Sequence, residues 1–231
     1  MDILDFKKIL KEKGLELNKS KEEKFLLYYN FLVQENNKYN LTSLVSFDDV
    51  FEKHFYDSLS IMFNYNISDL KVLDVGSGAG FPSMPLKIFN ESIKLDILDS
   101  TSKKMLFIEQ LAKRLKLDGV KTIISRAEEY KDKKYDLVLT RGVAKLNVLL
   151  EIIADLIKDD AIFVAMKGSS YKDELNESQN AMKILGFILQ DIQEVKLPFS
   201  NIIHYNLFFK KVNKHDRIYP RSYAKIKAHP L

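Results

Sequence analysis

The sequence predicts an α/β fold: a small helical region, then a mostly parallel seven-stranded sheet covered on both faces by helices and closed by an antiparallel hairpin. Three observations carry that reading. After Asp69, short apolar, β-branched runs alternate with amphipathic segments about five times, the pattern of strands and crossover helices in a doubly covered sheet. The last two runs have no helix between them, so they pair antiparallel. Before Asp69 the apolar residues recur with helical spacing instead.

In chain order, Ile3, Phe6, Ile9 and Leu10 form one stripe over Asp2 to Lys13, and Gly14 marks a stop. Ser20 with Glu23 makes a capping box ahead of Phe25, Leu26, Tyr29, Phe31, Leu32 and Val33. A third helix is expected from Asp48 to Phe63. Strand and helix then follow as Lys71 to Val75 and Pro82 to Phe89, Lys94 to Leu98 and Ser102 to Leu115, and Val120 to Ile124. Next come Asp136 to Thr140 with Leu146 to Ile157, and Ala161 to Met166 with Tyr171 to Leu185. Phe187 to Leu197 and Ile203 to Val212 are the closing strands. The chain divides into a helical N-terminal region, 1–65, a sheet domain, 66–212, and a basic C-terminal tail, 213–231.

Composition narrows the classes of function. The 231 residues include no cysteine, which excludes disulfides, Cys-ligated zinc and a thiol nucleophile. The N-terminal residues alternate charge with apolar side chains, unlike a signal peptide. The charge-free run Leu197 to Phe209 is polar-interrupted and too short to span a bilayer. A cytoplasmic protein is expected, with no membrane and no metal, and with no heptad seam to demand a partner a monomer is expected too. The net charge of +4 is unevenly spread. Residues 1–65 hold nine basic and eleven acidic side chains, residues 66–209 twenty of each, and residues 210–231 seven basic against Asp216 alone. In that last stretch Lys210, Lys211, Arg217, Arg221 and Lys225 lie among Tyr219 and Tyr223. Cations neutralise phosphates and rings stack on bases, so this segment suits nucleic acid, although a solubilising tail has the same composition.

The first strand runs into Asp74-Val75-Gly76-Ser77-Gly78-Ala79-Gly80-Phe81-Pro82. Glycines at alternate positions between strand and helix let a ligand approach the backbone. The spacing differs from the dinucleotide G-x-G-x-x-G, and no Gly-Lys-Ser/Thr ending marks a phosphate loop. Asp99, ending the second strand, suits the two hydroxyls of a ribose, or caps the following helix. In an open parallel sheet the ligand sits at the carboxyl ends of the strands. That draws Ser125 to Glu129, Arg141 to Ala144 and Lys167-Gly168 to the same edge, with Glu128 and the Ala127 backbone placed for adenine and Phe81 for an apolar cofactor face. His54, Asp57 and Ser58 share a helix face; they form either a wall of that site or a polar packing face.

The glycine loop resembles the first motif of class I S-adenosylmethionine-dependent methyltransferases, a Rossmann-like fold. Together with Asn40-Leu41-Thr42-Ser43, His54-Phe55-Tyr56-Asp57-Ser58, Leu98-Asp99-Ser100, Ser125-Arg126-Ala127-Glu128, Arg141-Gly142-Val143-Ala144, Lys167-Gly168 and Tyr219-Pro220-Arg221, it resembles the bacterial 16S rRNA (guanine-N7) methyltransferase G family, also called glucose-inhibited division protein B. The resemblance spans nearly the whole chain. It implies methyl transfer from S-adenosyl-L-methionine to N7 of a guanine in 16S rRNA, with the small ribosomal subunit or its assembly intermediate as partner. The family's cofactor contacts fall on Gly76, Phe81, Ala127, Glu128 and Arg141, to which the reading above adds Gly78 and Asp99. Gly142 stands where the family more often has alanine, a slight loosening of that turn. Ala224, Ile226, Ala228 and His229 depart from the family's usual Gly, Pro and Lys in the tail.

The chemistry implied agrees with what is missing. Carbon-5 methylation of a pyrimidine uses a cysteine, and amine methylation commonly uses an Asn/Asp-Pro-Pro-aromatic loop where this chain has Thr140-Arg141-Gly142-Val143. Guanine N7 bears a lone pair and no proton, so no general base is required. Arg141, Lys167 and His54 are therefore candidates for substrate positioning. A small-molecule methyltransferase and a non-catalytic RNA-binding assembly protein are the alternatives. The first lacks the long inserted lid such enzymes carry, and the second is disfavoured by the intact glycine loop.

Overall fold

The structure, a computed structural model, describes residues 2–131 and 134–231; Met1, Asp132 and Lys133, which fall within the first two segments above, lie outside the described residues. The chain opens with α1 (Ile3–Glu12), capped by Asp2 and Asp5 in a reciprocal box, and α2 (Lys19–Tyr39). The expected Ser20/Glu23 box does not form. Asn18 accepts from the Lys21 amide and starts the helix two residues earlier, since its side chain caps as well as serine does.

A composite helix follows: α3 (Phe47–Asp49), a π-helical stretch Val50–Tyr56, α4 (Asp57–Leu59) and a 3-10 turn Ser60–Phe63. Six of the seven π-helical residues are buried. Wider winding turns side chains to neighbours on more than one side, and such stretches recur at functional sites.

The sheet holds β1 (Lys71–Val75), β2 (Lys94–Asp99), β3 (Val120–Ile124), β4 (Tyr135–Arg141), β5 (Ile157–Lys167), β6 (Phe187–Lys196) and β7 (Ile203–Lys211). Its order is β3-β2-β1-β4-β5-β7-β6. The first five strands pair parallel, while β7 runs antiparallel to β5 and to β6, as the missing connector predicts. The strand order reverses between β1 and β4, which opens a crevice at their carboxyl ends. The intervening helices are α5 (Ser83–Phe89), α6 (Ser102–Arg114), α7 (Leu146–Ile153), α8 (Tyr171–Glu177) and α9 (Gln179–Leu185), and α10 (Tyr223–Ala228) ends the chain. The one helix expected over Tyr171 to Leu185 is broken at Ser178. Its hydroxyl donates to the Glu174 carbonyl at 2.6 Å, back-bonding that bends a helix.

Two apolar layers flank the sheet. One face is covered by the helical front together with α5 and α6, in a single core that runs from Phe6 to Phe208. Its spine is a chain of rings: Phe6 on Phe25 at 5.5 Å, Phe25 on Phe55 at 5.0 Å, Phe55 on Tyr28 at 5.1 Å and Tyr28 stacked on Phe81 at 5.5 Å. Each buried ring stabilises by about 1.5–3 kcal/mol, and the spine ties the front helices to the glycine loop. The other face packs α7, α9 and Ile226 of α10 against Leu73, Val138 and Phe163.

Candidate active site

The glycine loop leaves β1 at Val75 and is pinned from three sides. The Gly76 amide donates to the Leu98 carbonyl at 2.8 Å, tying it to β2. The Tyr28 hydroxyl donates to the Ala79 carbonyl at 2.5 Å, tying it to α2. Asp74 is fully buried and accepts from the Ser83 amide at 3.2 Å; burial pushes its carboxyl up to about 7. Gly80, at φ +100°, has no room for a side chain, since a Cβ would stand 2.7 Å from Met84 Cγ and 2.9 Å from the Tyr28 hydroxyl.

Beside the loop lies a first cavity of about 320 Å³ lined by Gly76, Asp99, Ala127, Glu128, Gly142 and Tyr223 among others. One Asp99 oxygen accepts from the Thr101 amide at 2.8 Å, so this residue does tie down the start of α6; its other oxygen stands 3.9 Å from Lys104 Nζ. Glu128 Oε1 is buried with no hydrogen-bond partner, its nearest cation being Arg126 at 3.9 Å. A buried acceptor without a donor costs about 1–3 kcal/mol. An orphaned carboxylate oxygen sharing with a second carboxylate, Asp99, a cavity also lined by Gly76 and Ile152 fits a ligand with several N–H or O–H donors, such as the adenosine of the implied cofactor. Gly78 faces open space and lines neither cavity.

A second cavity, of about 370 Å³, is lined by Lys53, His54, Asp57, Arg141, Lys167 and His204 together with Gly142, Met166 and Ile202. Gly142 borders both cavities, so the two meet at the carboxyl end of β4. At φ +65° this residue holds a conformation that favours glycine, so the exchange for alanine seats the turn rather than loosening it.

Arg141 is clamped. It donates to the Lys53 carbonyl at 3.1 Å, to Asp57 Oδ2 at 3.2 Å and to His54 Nδ1 at 3.0 Å, with its guanidinium 5.1 Å from the Phe81 ring centre. Arginine has no acceptor, so His54 Nδ1 must be unprotonated and Nε2 carries the hydrogen, donated to the Thr42 hydroxyl at 2.9 Å. Burial, with Arg141 beside it, lowers the His54 pKa to about 3, so the imidazole is neutral at neutral pH. Its ring stacks on Phe81 at 4.4 Å. Phe81 is itself buried and lines neither cavity; it reaches the site through His54 and Arg141. Ser58, on the same expected face, donates to the His54 carbonyl within the helix instead.

Asp57, 1% exposed, binds His204 Nδ1 through Oδ1 at 3.0 Å, and this bond raises the His204 pKa. Lys167 Nζ donates to the Ala144 carbonyl and to Glu174, both at 2.7 Å. His204 was not among the sequence candidates. The signal for it is topological: β7 runs antiparallel to β5, with Lys167 opposite Tyr205, so the start of β7 lies beside the carboxyl end of β5.

The basic C-terminal stretch does not act as one surface. Lys211, read above as an RNA contact, is 2% exposed; its ammonium donates to the Leu185 carbonyl, and burial pushes its pKa down to about 8. Arg221, also read so, forks onto Glu151 of α7 at 2.8 and 2.6 Å, with Glu151 fully buried. Lys210 pairs with Asp160 at 2.8 Å. Arg217 and Lys225 are exposed. Among the described residues no group of three or more His, Asp or Glu could hold a metal, and no helix is long and apolar enough to cross a membrane.

A family model described as rRNA small subunit methyltransferase G matches residues 21–203. The chain is 40% identical over 220 residues to a protein named ribosomal RNA small subunit methyltransferase G from Mycoplasma capricolum, covering 94% of each. It is 38% identical over 227 residues to one of the same name from Bacillus cytotoxicus, covering 96% of this chain and 95% of the relative. Among solved structures, a SAM dependent methyltransferase from Aquifex aeolicus matches 71% of this chain and 93% of its own with a TM-score of 0.56 at 17% identity. M. jannaschii TYW2 in complex with AdoMet matches 69% of this chain and 76% of its own, also with a TM-score of 0.56 at 17% identity. The sheet is that of the class I S-adenosylmethionine-dependent methyltransferases.

Proposed function

This chain belongs to the rRNA small subunit methyltransferase G family, and from that premise we propose that it methylates N7 of a guanine in 16S rRNA with S-adenosyl-L-methionine as donor. The observation that carries the reading is the meeting of two cavities at Gly142, one with an unpartnered buried carboxylate oxygen and one rimmed by cations. S-adenosylmethionine held in the first cavity supplies an electrophilic methyl group. Asp99 and Glu128 would accept from its ribose and adenine, and Val75 and Gly76 wall the side toward β1.

In the second cavity, Arg141 and Lys167 grip the RNA, through phosphate or the O6 edge of the guanine. Guanine N7 brings its own electron pair, so the protein's work is alignment and exclusion of water. The neutral His54 agrees with this: it takes no substrate proton, and its free Nδ1 electron pair holds the Arg141 fork in place. The enzyme acts in the cytoplasm as a monomer and needs no metal, with 16S rRNA of the small subunit or its assembly intermediate as partner.

The test is to incubate the protein with labelled S-adenosylmethionine and small subunits from cells lacking it. Label at one guanine N7 of 16S rRNA is expected. Label on small molecules alone, or cofactor binding with no label on any guanine, would overturn the proposal in favour of a small-molecule enzyme or a non-catalytic assembly protein.

A further inference from the structure

The C-terminal segment is basic in sequence, yet its best-anchored side chains point inward. Arg221 is fixed to Glu151 by its own amide at 3.0 Å as well as by the two fork contacts, and a further bond from the same guanidinium reaches the His229 carbonyl at 3.0 Å. Ile226 is fully buried in the α7 face of the core. Between these two anchors α10 begins at Tyr223, which lines the first cavity along with Asp99, Ala127 and Glu128. The Arg126 guanidinium stands 5.3 Å from the Tyr223 ring centre, which holds the ring at the Ser125 to Glu128 turn. The wall therefore joins the cavity from a segment remote in sequence from every strand-end residue.

From this geometry we infer that the C-terminal segment is part of the cofactor site, and that Tyr223 contacts the adenosine end of the bound cofactor. The inference rests on the functional reading above, which assigns that end to Asp99 and Glu128. A phenol ring is suited to a purine, since its flat apolar face packs on a base without requiring a hydrogen bond. The two anchors account for why the segment is ordered: a doubly bonded arginine on a buried carboxylate and a buried isoleucine hold a six-residue helix that could not form alone.

The experiment is calorimetric titration of the full-length protein with S-adenosylhomocysteine. Tyr223→Ala is expected to weaken binding about tenfold and Tyr223→Phe less than about twofold, because the ring and not the hydroxyl supplies the contact. Lys227→Ala, exposed on the same helix, should bind as the wild type does. Unchanged thermal unfolding of the ligand-free Tyr223→Ala protein separates lost contact from lost fold. Equal affinity of Tyr223→Ala and wild type would overturn the inference while leaving the methyltransferase reading intact. So would a rise in KM for small subunits with no change in S-adenosylhomocysteine affinity, which would return the segment to RNA. A wild type that binds no S-adenosylhomocysteine would overturn the functional reading, and this inference with it.

Discussion

The two cavities that share Gly142 are built on opposite principles. In the first, a buried carboxylate oxygen of Glu128 has no donor, which leaves an unmet hydrogen bond for a bound molecule to satisfy. In the second, the charged groups already satisfy one another: Arg141 with Asp57, His54 and the Lys53 carbonyl, Asp57 with His204, Lys167 with Glu174. A site that must recognise one small molecule can leave acceptors waiting for it. On the proposed function the second admits a base from a large RNA, and a closed network holds its shape beforehand.

Breaking the second cavity should have the larger effect. Arg141→Ala takes the cation from Oδ2 of Asp57, 1% exposed, and leaves His204 on Oδ1. Removing one partner of a buried pair costs about 3–5 kcal/mol, so urea unfolding should show a loss of that order, and methyl transfer to small subunits should fall about a hundredfold or more as the rim loses its geometry. A variant as stable as wild type would show that the network is not closed in the way described.

Glu128→Gln probes the first cavity. It replaces by an amide a carboxylate of which one oxygen is buried without a hydrogen bond, 3.9 Å from the exposed Arg126, so stability should stay level or rise, while affinity for S-adenosylhomocysteine drops about tenfold. Titration calorimetry beside thermal unfolding would read both. A parallel loss of stability and affinity would erase the contrast between the cavities.

The smallest effect is in pH. The bond to Asp57 raises the folded pKa of His204 above its unfolded value near 6.5, so its contribution to stability is full below that value and lost as pH rises through the folded pKa. The stability gap between wild type and His204→Gln, measured by urea unfolding, should therefore narrow from pH 6 toward pH 9. His54 works with the opposite sign. Its pKa of about 3 means that between about 6.5 and 3 the unfolded chain binds a proton that the folded one does not, so stability falls as pH is lowered through that window. A gap that widens with rising pH would place the charge of His204 elsewhere.

Much of the first cavity was legible in the sequence because a parallel sheet collects its strand ends at one edge, so Gly76, Asp99, Ala127 and Glu128 could be grouped by topology. The second cavity was legible only in part. His54 and Asp57 do meet Arg141, but α-helical spacing also sent Ser58 there, and its hydroxyl instead bonds back to the His54 carbonyl one turn earlier. The basic tail misled, because composition counts charges without their partners. Lys211 and Arg221 add to the net charge and yet are spent on Leu185 and Glu151 inside the fold.

Strand and helix order, the antiparallel closing pair, the glycine loop and the family all follow from local periodicity and from short motifs along the chain. Packing in three dimensions is what lets the helical front and the sheet share one core, brings His204 and Tyr223 to the cavities, and turns Lys211 and Arg221 of the basic tail inward. Those facts depend on which side chains face each other across 70 to 150 residues of intervening chain, as with Arg221 on Glu151 and His204 on Asp57. Residue type states what a group can bond to; packing alone selects its partner and how much water remains around it.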